Sequence, residues 1–293
     1  MNKKYTSLKY MDENYWNKAP FLFDENGLPI VDYGDDIGVV YNPITIEQYA
    51  LVMYNKFIET KREKYKNRFF VSVHWLVEHI KISNTGVCGI PYLFNLKRYG
   101  LNAPWYSGME LGQLISVLIR AYAMERKAEY KELCRKIYNS FLVPVENGGV
   151  LVYDENKNPW VEEYPNKNLK TFVLNGYIFS LIGILEYEQF FMSQTNEKKS
   201  DIFIDSLFKR LKRYEKNCWL LYQDNEQIEP IYCSNEYMKM QALQMLQLHS
   251  IEKHKNKAFI YIYAKWHVWY FFNPIRLFRL LPTHIKIIVR RYL

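Results

Sequence analysis

Two stretches of this sequence, residues 109–124 and 172–190, keep helical spacing but have almost no polar side. That limits the folds open to the chain, because a helix apolar nearly all round must be covered on every side. Both stretches therefore read as deep core. Five further helices with a clearer polar face are expected over residues 44–59, 69–80, 128–141, 201–214 and 236–251, the first entered through Pro43. Strand signal is slight, confined to brief extended pieces at 149–153 and 218–222. The first forty residues carry turn signals, Glu25-Asn26-Gly27 and Tyr33-Gly34-Asp35-Asp36, that predict loops and a short hairpin. Sequential helices with moderate loops and a polar stretch at 193–200 mean an all-α fold. With 293 residues the chain is long enough to bury a substantial core.

Several functional classes drop out on composition and spacing. Cys88, Cys134, Cys218 and Cys233 lie far apart, which fits neither a disulfide framework nor a zinc site and reads as reduced thiols in a cytoplasmic protein. His74 and His79 are five apart, a spacing that does not put both rings on one helix face for a metal. Gly148-Gly149 opens no phosphate loop. Residues 1–16 lack the apolar core of a secretory signal, and no run of about 18 apolar residues predicts a membrane span. The chain has 26 Tyr and 7 Trp. Most would fill core, but flat rings with a polar tip also suit a sugar-binding cleft.

Chemistry concentrates in Trp160-Val161-Glu162-Glu163-Tyr164-Pro165, directly ahead of the apolar helix. Two carboxylates, a phenol and an indole on a non-helical segment would be held in register by the packed helix behind them. Adjacent carboxylates in a loop are most often solvated or capping groups. They do not form a glycosidase pair, whose two carboxyls come from different elements.

This segment, with Phe172-Val173-Leu174-Asn175-Gly176 and Ser180-Leu181-Ile182-Gly183, resembles the C-terminal domain of the D-glucuronyl C5-epimerases, which invert uronic acid residues within heparan-type polysaccharides. Two more blocks agree in order: Tyr41-Asn42-Pro43-Ile44 with Gln48-Tyr49-Ala50-Leu51, and Pro104-Trp105-Tyr106-Ser107-Gly108-Met109 with Gly112-Gln113-Leu114-Ile115-Ser116. The resemblance spans roughly residues 39–250. It implies an incomplete (α/α) toroid of helical hairpins over residues 41–250, after an irregular or β segment at 1–40. The family's additional β domains have no room here, since Tyr49 runs on to Phe69.

C5 inversion removes a proton beside a carboxylate and returns one to the opposite face. It needs a base, an acid and groups that quiet the substrate carboxylate, but no metal or redox cofactor. By resemblance Tyr164 is the leading catalytic residue, with Glu163 orienting it and Tyr222 and Tyr237 as the later tyrosines. A tyrosine acting as base needs its pKa, near 10 unperturbed, brought down. Substrate contacts are expected from Glu162, Trp105, Tyr106, Asn175 and Gln113. Two positions depart from the family pattern. Met238 and Gln241 replace a His-x-x-His pair, and Asn225 stands where an arginine suits the substrate carboxylate. Either Lys97 or Arg98 supplies that charge, or the substrate differs, or activity is lost. The implied function is a uronyl C5-epimerase on an acidic, heparosan-like polysaccharide. The alternatives are a uronate lyase and a non-catalytic glycan-binding subunit of a polysaccharide assembly complex.

Net charge is +8, and residues 251–293 account for all of it. They hold nine Lys or Arg and one acid, Glu252, while the first 250 residues hold thirty charges of each sign. Within this tail, residues 258–272 contain eight aromatic residues, and residues 274–293 alternate arginines with apolar residues as one or two amphipathic helices around Pro282. The apolar faces dock on the helical body, or residues 258–293 attach the protein to an anionic membrane at its cytoplasmic face, or the tail binds acidic polysaccharide or a partner protein. No nucleic-acid module accompanies the tail, and no nucleic-acid partner is expected. A homodimer is left open.

Overall fold

A computed structural model describes residues 5–9, 11, 14–17, 21–34, 37–193, 198–225, 231–252 and 257–272. The turn expected at Asp35-Asp36 and the tail helices around Pro282 lie outside the described residues. Eight α-helices are present among those described: α1 (Pro43–Thr60), α2 (Glu63–His79), α3 (Gly108–Glu125), α4 (Ala128–Ser140), α5 (Leu174–Phe191), α6 (Ser200–Tyr214), α7 (Asn235–Ile251) and α8 (Ala258–Phe272). None is long and apolar enough to cross a membrane.

The helices form four hairpins. Each odd helix packs on the even helix that follows it, and the odd helices pack in series, α1 on α3, α3 on α5, α5 on α7. This is an all-α, incomplete (α/α) toroid with the odd helices inside. The first two hairpins turn in the same way. Lys61 and Arg126 each adopt a left-handed conformation, and each backbone N–H returns to a carbonyl four residues back, Phe57 and Tyr122. Such a cap satisfies a helix-end carbonyl and reverses the chain within two residues.

The two all-round apolar segments are the central inner pair. Every residue from Gly108 to Ala121 on α3 and from Leu174 to Glu188 on α5 is buried. They approach closely because Gly112 faces Gly183: a Cβ at Gly183 would lie 2.4 Å from the Gly112 carbonyl oxygen. Farther along the pair, Arg120 and Glu186 form a fully buried bidentate ion pair at 2.8 and 2.9 Å.

The arc is closed by the chain's beginning. The 3-10 turn Thr6–Leu8 packs on both α7 and α1. Asn55 of α1 exchanges two hydrogen bonds with the Tyr5 backbone, at 2.7 and 3.0 Å, while Gln247 of α7 accepts from both the amide and the hydroxyl of Ser7, each at 2.8 Å. Gln247→Ala leaves the buried Ser7 donors unmatched and should cost about 1–3 kcal/mol, read as a lower urea midpoint with unchanged slope.

The long connections, residues 80–107, 141–173 and 215–234, all emerge at the end where the odd helices begin. An antiparallel hairpin, Phe21–Phe23 with Pro29–Asp32, joins them there from the N-terminal segment. Three elements differ from the sequence expectation. Helix α2 starts at Glu63, six residues early, because residues 63–68 are mostly polar and exposed, with Tyr65 alone among them buried. Helix α5 starts at Leu174, since Phe172 takes a positive φ of 48° and Val173 bridges to Gln223. Residues 258–272, apolar all round and so without helical periodicity, form α8, which buries Phe259, Ile262 and Trp266.

Candidate active site

A cleft opens at the end of the toroid where the inner helices begin. Its lining includes Tyr33, Asn42, Met109, Glu163, Tyr164, Asn175, Glu236 and Tyr237. The carboxylates of Glu162 and Glu163 arrive on the strand Pro159–Val161, which pairs with Leu151–Tyr153. Trp160 anchors that strand in the core, stacked 3.7 Å from the Tyr177 ring. The backbone of Glu162 is then pinned on two sides: its amide donates to Val150 at 2.8 Å and its carbonyl accepts from Gly108 at 2.9 Å. A side chain at Gly108 would collide with Val161 and with the Glu162 carbonyl. The Ser107-Gly108-Met109 and Glu162-Glu163-Tyr164 segments are thus two halves of one joint.

Glu162 turns into the protein. It accepts from the Thr171 hydroxyl at 2.5 Å and from the Phe172 amide at 3.0 Å, stapling the loop that precedes α5. The sequence expectation placed it against substrate; the structure uses both its oxygens within the fold. Glu163 faces the cleft floor. Its side chain crosses α5 at Gly176, where a Cβ would lie 2.3 Å from Oε2. Tyr222 donates to Glu163 Oε1 at 3.4 Å, and Oε2 has no hydrogen-bond partner although it is buried.

Three tyrosines gather on this carboxylate. The hydroxyls of Tyr164 and Tyr222 are 3.3 Å apart. The rings of Tyr222 and Tyr237 meet edge to face at 5.1 Å. Tyr222 is set by the extended segment whose carbonyl accepts from Leu174 and whose amide donates to Ile231. Tyr237 sits in the first turn of α7, its amide donating to the Ser234 cap. Tyr99, absent from the sequence expectation, stacks on Tyr164 at 4.0 Å between centroids. Its loop is tied by Asn166, which donates to the Tyr99 and Gly100 carbonyls. Only the aromatic character of Lys97-Arg98-Tyr99 signalled it.

Burial sets the electrostatics. It pushes the Glu163 carboxyl up to about 7, against the neighbouring Tyr164 and Tyr222 hydroxyls, which pull it down. Glu162 is likewise raised to about 7 by burial. The phenols of Tyr164, Tyr222 and Tyr237 are all raised above 10, first by burial and then by the neighbouring Glu163 charge. The expectation of a lowered tyrosine pKa is therefore reversed: these are neutral phenols beside a carboxyl poised at neutrality. Tyr237 is the most open of the three, 39% exposed, although its oxygen is closely surrounded.

The other expected residues divide between the cleft and its surroundings. Asn175 lines the cleft, with its Oδ1 buried and unmatched. Trp105 stacks on Tyr92 at 4.1 Å, donates to the Phe94 carbonyl, and helps wall Tyr164 from behind. Tyr106 lines a neighbouring groove with Gly148 and Pro165. Gln113 is wholly buried on α3 and does not line the cleft. Lys97 and Arg98 are exposed on the turn Lys97–Tyr99, with Arg98 5.6 Å over the Tyr99 ring. Among the described residues lining the cleft there is no Lys or Arg. Asn225 donates to the Lys170 carbonyl and lines a separate pocket with Arg210 and Arg213, both ion-paired with Asp224. None of the four cysteines is in a disulfide, and among the described residues no group of three His, Cys, Asp or Glu side chains could hold a metal ion.

The family described as the D-glucuronyl C5-epimerase C-terminus matches residues 83–268, more than half of the chain, and the chain belongs to that family. A D-glucuronyl C5-epimerase of Caenorhabditis elegans is 32% identical over 134 residues, 45% of this chain and 21% of that protein, so the match spans about a fifth of that relative's length. An uncharacterised protein of Methanocaldococcus jannaschii is 23% identical over 274 residues, 85% of each chain. Among solved structures, a D-mannose isomerase superposes with a TM-score of 0.50 at 12% identity, covering 87% of this chain and 67% of that one, and shares its fold. A glycoside hydrolase family 76 mannosidase of Bacteroides thetaiotaomicron gives a TM-score of 0.47 at 14% identity, over 78% and 60% of the chains.

Proposed function

We propose that this member of the D-glucuronyl C5-epimerase family inverts C5 of glucuronic acid units within an acidic, heparosan-like polysaccharide. The observation that carries the reading is the chain Tyr164–Tyr222–Glu163, linked at 3.3 and 3.4 Å at the edge of the cleft. A phenol held above its ordinary pKa is a poor base alone. It becomes a competent one when its own proton leaves as the new one arrives. On one face of the sugar, the Tyr164 oxygen takes the C5 proton, its own proton passes to Tyr222, and the Tyr222 proton passes to Glu163. No free tyrosinate forms. A carboxyl near 7 is matched to accept that proton at neutral pH.

The return proton comes from Tyr237. The Tyr164 and Tyr222 oxygens are too close to admit a pyranose between them, so both serve one face. Tyr237, which lines the same cleft and is partly exposed, donates its proton to C5 on the other face; solvent returns a proton to it, and Glu163 releases the one it took. Asn175, on α5, holds its side-chain amide against Met109 Sδ at 3.8 Å in the cleft lining, a weak contact that a substrate carboxylate would replace.

The test is proton NMR of heparosan-type and other uronate polymers incubated with the protein in heavy water. Deuterium at C5 without chain cleavage is the expected result. Unsaturated uronate ends would instead indicate a lyase. Met238, Gln241 and Asn225, which depart from the family pattern, favour one competing reading, a silent glycan-binding subunit; measurable polymer affinity with no exchange would establish that one. Gly176→Ala supplies a geometric check. The added methyl displaces Glu163, and a shift of about 1 Å in such a group costs on the order of 100-fold in turnover. Polymer affinity and the circular dichroism spectrum should be unchanged.

A further inference from the structure

Helix α8 presents two unlike faces. Phe259, Ile262 and Trp266 are buried against the body, and Trp266 Nε1 donates to Glu215 at 2.9 Å. Along the opposite side Tyr261 is 70% exposed, Val268 52%, Phe271 48% and Phe272 73%, with Ala264 exposed between them. Spacings of three and four residues put these side chains on one stripe of the helix. A run of large apolar groups on a solvent face marks a contact surface rather than scattered exposure.

Charge decides what kind of surface fits it. Immediately after Phe272 the sequence continues for 21 residues with Arg276, Arg279, Lys286, Arg290 and Arg291 and no acidic residue. A protein surface made to pair with these cations would carry carboxylates. The helix itself has none, and Glu215, the acid beside it, already holds Lys265 at 2.5 Å as well as Trp266. Aromatic and aliphatic side chains flanked by unbalanced cations are instead the composition of a helix lying in an anionic bilayer interface.

We propose that the Tyr261–Val268–Phe272 face of α8, with the cationic segment that follows it, seats this protein peripherally on an anionic lipid bilayer. The inference does not depend on the epimerase reading. It would confine the cleft to a membrane surface, where a growing or lipid-linked polymer is presented.

The experiment is co-sedimentation of the full chain with phosphatidylcholine vesicles prepared with and without phosphatidylglycerol. Binding is expected only with phosphatidylglycerol, and should weaken by at least about tenfold in Tyr261→Ser/Val268→Ser/Phe272→Ser. The set Arg276→Gln/Arg279→Gln/Arg290→Gln/Arg291→Gln should weaken it to a similar degree. Thermal midpoints should match wild type, since the substituted α8 side chains are exposed. No binding to the anionic vesicles overturns the proposal, as does equal binding by the triple serine variant. A wild-type dimer that the serine variant converts to monomer, with no vesicle binding by either, would assign the stripe to a second copy instead.

Discussion

Glu163→Gln should lose roughly 1,000-fold or more in C5 exchange while making the folded chain more stable above pH 7. The two effects share one cause. Glu163 is 4% exposed, and burial raises its carboxyl from an ordinary 4.5 to about 7. In the unfolded chain the group titrates near 4.5, so between these values the folded state holds a proton that the unfolded state has lost. The stabilising contribution is fully present below pH 4.5 and disappears as pH rises through 7. Above that, a charge is retained in a poorly solvated place at a cost of up to about 3 kcal/mol. Glutamine keeps the shape without that charge, but it cannot accept the relayed proton. Wild-type exchange should rise with pH through about 7 as the carboxylate forms, and the variant should show no such limb. The measurements are deuterium incorporation across pH and urea unfolding at pH 5 and pH 8. Exchange within tenfold of wild type would remove Glu163 from the chemistry. A variant less stable than wild type at pH 8 would show that its carboxylate is a structural tie.

Helical spacing made the all-α class legible in the chain, and the resemblance to the epimerase family supplied the toroid and the tyrosines of the site. Two helices without a polar side need neighbours on every side, and four hairpins with α3 and α5 inside provide them. The segments around Glu163, Tyr222 and Tyr237 are far apart in sequence yet converge, because each sits where a long connection meets an inner helix. What stayed hidden was decided by contacts that leave no local pattern. Tyr99 reaches Tyr164 through a turn tied by Asn166, 67 residues away. The seal made by Tyr5 and Ser7 on Asn55 and Gln247 joins α1 to α7, and nothing in residues 5–8 announces it. Gln113 and Glu162 carry polar groups in motif positions, which reads as substrate contact, but one is enclosed in α3 and the other staples Phe172 in its left-handed conformation. Helix α8 escaped a periodicity reading because its exposed face is as apolar as its buried one.

The second large effect belongs to the inner pair. Glu186→Ala should destabilise the chain by about 3–5 kcal/mol, more than any surface substitution. Arg120 and Glu186 are 1% and 2% exposed and hydrogen-bonded at 2.8 and 2.9 Å. Removing the carboxylate leaves a guanidinium enclosed by the Tyr5 and Tyr54 rings, 5.0 and 5.6 Å away, with the Ser116 carbonyl still accepting from it. An arginine cannot escape this by losing its proton, so the cost falls on folding. The double variant Arg120→Met/Glu186→Leu removes both charges at similar volume, and should recover most or all of the loss. Urea unfolding of the three proteins closes the cycle. If Glu186→Ala alone cost under about 1 kcal/mol, water would be reaching the pair and the core there would be open. The pair also bears on the cleft. It ties α3 to α5, and the same two helices place Gly108 against Glu162 and Gly176 against Glu163 at their other ends. The double variant tests whether that placement needs the charges: C5 exchange at wild-type rates would mean that Gly112 and Gly183 alone hold the helices in register.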